Sequence, residues 1–233
     1  MDQGRVGAVI VAAGASARLG VDKMFIKIRS RALLAYTLSA FDSCECIDDI
    51  VLVVSEANRI SAKKMIEAEK FGKIRALPIG GVRRQDSVLA GLRCLNGCSW
   101  VVVHDGARPL VTHELIKNGL DAARRTGAAT AGVPVKDTIK AVDSEDLVIS
   151  TLERSALRAA QTPQVFDYGL LLDAYARVGD REYTDDASVV EAAGHKVVVY
   201  PGSYDNIKVT TWEDVELARV IIRRTYPHSG QRR

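Results

Sequence analysis

The chain has 233 residues, 47% hydrophobic and 26% charged, the composition of an ordinary folded protein and not of a disordered or collagen-like one. Its 32 basic and 29 acidic side chains leave a net charge of +3, with 6% aromatics, too mild a charge for nucleic-acid binding and too few rings for stacking platforms. No apolar run reaches the roughly 18–20 residues of a membrane helix, so neither nucleic acid nor membrane is expected as a partner.

The first element is an apolar strand at 6–12, running into a small-residue loop, Ala13-Gly14-Ala15-Ser16-Ala17. With Arg5 in front, the stretch has the outline of a signal peptide, but it is short, contains Gly7 and Gly14, and Asp2 offsets its basic start. A buried strand is the better reading. Further β-branched runs at 50–54, 74–77, 100–103, 128–133 and 197–200 alternate with helical stretches near 31–41, 57–70, 85–95 and 114–125. Continuous apolar strands alternating with helices predict an α/β fold: three layers around an open, mostly parallel, Rossmann-like sheet.

At Asp137 the rhythm changes. Residues 138–142 and 148–152 alternate in polarity around Asp143-Ser144-Glu145-Asp146, which predicts a β-hairpin projecting as an arm over about 137–156. Its apolar face, read as Ile139, Val142, Val148 and Leu152, is expected to pack on a second copy, since an isolated hairpin is marginal in water. Helices near 168–177, 185–193 and 212–225 follow, the last with Thr211 as N-cap and Asp214 three residues on. Residues 1–226 read as one domain and the polar tail 227–233 as disordered. Cys44, Cys46, Cys94 and Cys98 lack a C-x2-C pair or a nearby His to complete a zinc set, and read as reduced thiols of a cytoplasmic protein.

Ligands of open α/β sheets bind beyond the carboxyl ends of strands. The first strand leads into Gly14, Arg18 and Lys23, a small-residue loop with two cations. It is neither a dinucleotide fingerprint nor a Walker loop. The third leads into Gly80-Gly81-Val82-Arg83-Arg84-Gln85-Asp86-Ser87, where paired glycines leave room for the edge of a base. The fourth leads into His104-Asp105-Gly106-Ala107-Arg108: Asp105 stands where a Mg²⁺ carboxylate would, and Arg108 can grip a phosphate. His104 reads as a packing residue. Lys208, in an expected short strand, and Arg154, beside the arm, add cations. This balance suits a polyphosphate substrate with Mg²⁺ and not hydride transfer.

These stretches, together with Asp137-Thr138-Ile139-Lys140, Gln161-Thr162-Pro163-Gln164, Thr184-Asp185-Asp186-Ala187-Ser188 and Asn206-Ile207-Lys208-Val209-Thr210, resemble the 2-C-methyl-D-erythritol 4-phosphate cytidylyltransferases of non-mevalonate isoprenoid synthesis, within the nucleotide-diphospho-sugar transferase type of fold. The first loop by itself also looks like the molybdenum-cofactor nucleotidyltransferases. The chain departs from the family pattern at Ala15-Ser16-Ala17, where Gly-x-Gly is usual, at Asp22 and Met24 flanking Lys23, and at Val82. The resemblance implies transfer of a cytidylyl group from CTP to methylerythritol phosphate. It implies that Ala12, Ala13, Gly14, Gly81 and Ser87 hold the cytidine, that Arg18 and Lys23 hold the triphosphate, and that Asp105 places Mg²⁺. Asp105, Arg108, Thr138, Thr162 and Lys208 would surround the acceptor, with Arg154 reaching in from the arm of a homodimer partner. Arg18, Lys23 and Lys208 are the expected catalytic cations. A cytidylyltransferase for ribitol 5-phosphate is a same-fold alternative, as is a molybdenum-cofactor enzyme; a nucleotide-binding regulatory module is the non-enzymatic one.

Overall fold

The computed structural model describes residues 4–14, 22–179 and 181–225; Arg18 and the tail at 227–233 lie outside them. The central sheet contains β1 (Val6–Ala12), β4 (Asp49–Val54), β5 (Ile74–Ala76), β6 (Trp100–Asp105), β7 (Ala128–Pro134), β10 (Arg158–Asp167) and β11 (Val198–Pro201), in the order β11-β7-β10-β6-β1-β4-β5. A small ladder, β2 (Lys27–Ile28) with β3 (Arg31–Ala32), and the arm, β8 (Lys140–Val142) with β9 (Val148–Thr151), stand apart from it.

Both faces of the sheet are covered, which is why its strands are apolar at successive positions. Val6, Ala8, Ile10 and Ala12 of β1 pack to one side, against residues of α1 (Leu33–Asp42), α2 (Arg59–Glu69) and α4 (His113–Thr126). Val9 packs to the other, against α3 (Arg84–Leu92), α5 (Tyr168–Arg177) and α6 (Asp186–Ala192). The period-two alternation of a strand thus feeds two separate cores. A third cluster joins Ile28 and Leu33 to Val215, Ala218 and Ile222 of α7 (Trp212–Thr225). As expected, Thr211 begins α7: its Oγ1 accepts from the Asp214 N–H, and Asp214 in turn accepts from the N–H groups of Thr210 and Thr211. None of the described helices is long and apolar enough to cross a membrane.

Three features differ from the sequence reading. The strand β10, absent from that reading, runs antiparallel between β6 and β7 in the middle of the sheet. Pro163 hid it, because proline cannot donate to a ladder; here Thr162-Pro163 falls within a register shift between Gln161 and Gln164, where no such donation is needed. Second, Lys208 is in no strand; its segment is fixed by the N–H of Val209, which donates to Ala107 O at 2.9 Å. Third, the arm has no single apolar face. Val142 pairs with Val148 and shares a side with Lys140 and Thr151, whereas Ile139 and Leu152 meet on the opposite side, because a register shift follows Ala141. The arm does project: every residue of β9 is exposed, as are Leu147, Ile149 and Leu152.

Gln164 of β10 fastens the sheet to α6. Its amide donates to Thr130 Oγ1 at 2.9 Å and to Asp185 Oδ2 at 2.6 Å, and its carbonyl accepts from the N–H groups of Asp186 and Ala187, both at 3.0 Å. Replacing it with leucine (Gln164→Leu) strands buried donors, a loss expected to cost about 2–4 kcal/mol. Urea unfolding checks this; a midpoint equal to that of the wild type would contradict it.

Candidate active site

Two adjoining clefts open beyond the ends of β1 and β6. The first, about 310 Å³, is lined by Ala13, Gly14, Lys23, Gly81, Ser87 and Asp105, among others. The second, about 210 Å³, is lined by Arg108, Gln161, Thr162, Gln164, Thr184 and Asp185, among others. Arg84, Asp105 and Lys208 line both. A larger cleft of about 580 Å³, between α1 and the start of α4, contains none of the expected site residues.

The first cleft is shaped by small residues. A Cβ on Gly80 would collide with Ala13 and Ser87, and one on Gly81 with Asp86. These glycines let the loop close on its own protein neighbours, and Gly81 lines the cleft. A Cβ on Gly14, by contrast, would meet none of the described residues within 4 Å. Ala12 is buried beneath the cleft and does not line it. Lys23 begins a short 3₁₀ turn whose N-cap, Asp22, accepts from the Met24 N–H at 2.9 Å.

Asp105, the last residue of β6, is the shared wall of the two clefts. Lys208 Nζ lies 3.0 Å from its Oδ2, Arg108 Nε 3.6 Å from the same oxygen, and Arg84 Nε 3.5 Å from Oδ1. Burial opposes ionisation of Asp105, but Arg84, Lys208 and Arg108 outweigh it and hold the carboxyl well below the usual carboxylate range. Among the described residues the two clefts are lined by five cations, Lys23, Arg83, Arg84, Arg108 and Lys208, against Asp105 and Asp185 in the lining and Asp86 and Asp186 behind Arg83 and Arg84; one positive charge is left over, which suits a polyanion.

Two of the three cations have a further anchor. Arg108 Nη1 donates to Asn206 O at 2.8 Å, and the Asn206 amide donates to Thr162 O at 2.8 Å. Thr162 Oγ1 accepts from the Asp105 N–H at 3.0 Å, tying β10 to the end of β6. Arg84, a residue the sequence reading quoted but gave no role, bridges the clefts: its Nη1 is 2.7 Å from Oδ2 of the fully buried Asp186, whose Oδ1 accepts from the Tyr175 hydroxyl. Neighbouring Arg83 is instead spent on the α3 cap with Asp86, at 2.7 Å. His104 is wholly buried against Phe41, its Nε2–H donating to Arg108 O; burial pushes its pKa down to about 3, so it is a neutral packing residue, as expected.

Of the expected site residues, Ala13, Gly14, Lys23, Gly81, Ser87, Asp105, Arg108, Thr162 and Lys208 come together at the two clefts. Thr138 and Arg154 do not. Thr138 is exposed at the base of the arm, and Arg154 donates to Lys136 O at 2.7 Å beside a separate hollow.

The sequence matches the family described as 2-C-methyl-D-erythritol 4-phosphate cytidylyltransferase over residues 6–224. The chain belongs to that family. A relative of that name from Dehalococcoides mccartyi is 48% identical over 221 residues, covering 94% of this chain and 97% of its own; one from Alkaliphilus oremlandii is 42% identical, covering 94% and 95%. The crystal structure of 4-diphosphocytidyl-2C-methyl-D-erythritol synthase from Anaerococcus prevotii superposes with a TM-score of 0.86 at 32% identity, over 96% of this chain and 98% of that one. The cytidylyltransferase of Thermus thermophilus gives 0.77 at 34%, over 94% and 99%. The fold expected from sequence is therefore that of the family.

Removing the shared carboxylate (Asp105→Asn) leaves Arg84, Lys208 and Arg108 facing one another without it. A loss of about 3 kcal/mol in unfolding free energy is expected. Urea titration without nucleotide measures it; unchanged stability would mean the three cations do not depend on Asp105.

Proposed function

We propose that this protein transfers a cytidylyl group from CTP to 2-C-methyl-D-erythritol 4-phosphate, giving 4-diphosphocytidyl-2-C-methyl-D-erythritol and pyrophosphate in isoprenoid precursor synthesis. The observation that carries this reading is the pair of clefts meeting at Asp105, Arg84 and Lys208 in a chain that matches the family almost end to end. Two anionic substrates need adjoining pockets with cations at the junction, and that is where Arg84 and Lys208 stand, with Asp105 between them.

The chemistry needs no protein nucleophile. A phosphate oxygen of the acceptor attacks the α-phosphorus of CTP; the new P–O bond forms as the bond to the β-phosphate oxygen breaks, and pyrophosphate leaves with that electron pair. Such transfers depend on positioning and charge stabilisation. In this reading Ala13, Gly14, Gly81 and Ser87 hold the nucleoside in the first cleft and Lys23, with Arg18, the triphosphate. Arg108, Thr162 and Lys208 face the acceptor in the second. Lys208, on the boundary, can follow the charge as it moves from acceptor oxygen to leaving group.

A divalent cation fits the donor set if the triphosphate brings most of its ligands. Asp105 offers one carboxylate, and no cluster of three acidic, His or Cys side chains able to hold a metal occurs among the described residues; Mg²⁺ is commonly held by one or two carboxylates plus phosphates and water. When bound, the ion would neutralise phosphate charge beside the cations. We place the enzyme in the cytoplasm, as a homodimer joined through its arms.

Pyrophosphate release from CTP should require methylerythritol phosphate and fall at least about tenfold when UTP replaces CTP. Equal release with ribitol 5-phosphate, or release without acceptor, would overturn the assignment of substrate.

The arm supplies a second test. Its exposed Val142, Val148 and Ile149 need a covering surface, and a twofold partner arm is the simplest. Arg154 would then serve the neighbour's acceptor cleft. Mixing Arg154→Ala subunits with Lys23→Ala subunits gives hybrid dimers with one intact site if the cation acts across the interface, so activity should partly return. No recovery after demonstrated subunit exchange would place Arg154 in its own chain's site or in none.

A further inference from the structure

We propose that Cys44 and Cys46 form a redox-active dithiol, a site that reacts with small-molecule disulfides and closes into an intramolecular disulfide. The pair lies where α1 gives way to the turn leading to β4, away from both clefts. The two Sγ atoms are 3.0 Å apart. The turn that brings them together is closed by the Ile47 N–H, which donates to Cys44 O at 3.1 Å. It is braced from outside by Lys73, whose Nζ donates to the same Cys44 oxygen at 2.7 Å and whose N–H donates to Asp42 Oδ1 at 2.8 Å. Cys44 is buried and Cys46 half-buried, so an incoming disulfide can reach the outer thiol while the inner one waits beside it.

The other two cysteines supply a contrast within the same chain. Cys94 Sγ donates to Ala90 O at 3.4 Å and Cys98 Sγ to Asn96 O at 3.9 Å; each is committed to a backbone carbonyl. The hydrogen bond the two sulfurs share, in which either can donate, draws the Cys44 thiol down and pushes that of Cys46 up, and Lys73 places positive charge beside both. Because the sulfurs are 3.0 Å apart and either can hold the shared proton, the negative charge of the pair can stand on the outer sulfur, Cys46, when a disulfide arrives.

The reaction balances with a disulfide RSSR as oxidant. The pair's thiolate attacks one sulfur of RSSR, forming a mixed disulfide and expelling RS⁻, which takes up a proton. The remaining protein thiol loses its proton and attacks the protein sulfur of that mixed disulfide, closing Cys44–Cys46 and releasing the second RSH. Two electrons leave the dithiol and reduce RSSR to two thiols. Because the sulfurs are held together before the first step, the second is intramolecular and outruns addition of another oxidant molecule.

Glutathione disulfide is the probe, with the full-length protein at neutral pH and peptide mass mapping after alkylation. The expected product is a peptide containing Cys44 and Cys46 that is two hydrogens lighter and resists alkylation, while Cys94 and Cys98 are alkylated. Cys44→Ala should retain a glutathione adduct on Cys46, because no neighbour resolves it; Cys46→Ser, which alters the more accessible position, should give no closed product. The proposal is overturned if wild type accumulates a stable glutathione adduct at this pair. It is equally overturned if Cys44 and Cys46 stay as fully alkylatable as Cys94.

Discussion

One carboxylate organises this molecule's working end. Asp105 is the last residue of strand β6 and is reached by cations from three other places in the chain: Arg84 at the start of α3, Arg108 in the following loop and Lys208 near α7. Burying a charge is costly unless it is paired and hydrogen-bonded, so the segments carrying those partners are bound to one another through it. The arrangement also leaves more positive than negative charge at the seam between the clefts. A polyanionic substrate completes the pairing that the protein leaves unfinished.

Around that centre the scaffold is polar as much as apolar. Gln161, Thr162 and Gln164 on β10, with Thr130 and Asn206, are buried and hydrogen-bonded to one another or to backbone. Networks of this kind hold directions, whereas apolar packing holds distances. Asp186 illustrates the difference: it lies wholly inside, yet fixes both a tyrosine hydroxyl and the guanidinium of Arg84. A hydrophobic residue there could fill the same volume and orient neither.

The layers of the fold were legible because burial on both faces imposes apolar runs, as in β1 and β4, and those runs stand out against amphipathic helices. The strand β10 was not legible by the same logic. Its sequence, Arg158 to Asp167, mixes polar residues with a proline, and its strand character comes from the neighbours that enclose it. At the site, residues that follow strand ends were found from position alone: Gly14, Lys23, Asp105 and Arg108. Arg84 was harder to assign, since Arg83 and Arg84 are chemically alike and adjacent. Only the helix start separates them, turning Arg83 back onto Asp86 and Arg84 toward Asp105 and Asp186. At Gly80 and Gly81 the sequence shows two positions without a side chain, but the atoms a Cβ would strike, on Ala13, Ser87 and Asp86, are placed only by the fold.

The strands on either side of the arm have a consequence for how the arm should be regarded. β7 and β10 are antiparallel neighbours, and their registers begin with Pro134 opposite Arg158. The chain therefore leaves the sheet and re-enters it at the same spot. A two-residue turn could make that connection, so nothing in the topology of the sheet calls for residues 135–157. The arm is surplus chain, kept extended at an entropic cost and carrying apolar side chains into water. A segment that the domain could dispense with is inserted at a point where its deletion would not disturb the strand order. It can lengthen, shorten or change its surface without the sheet having to be rebuilt.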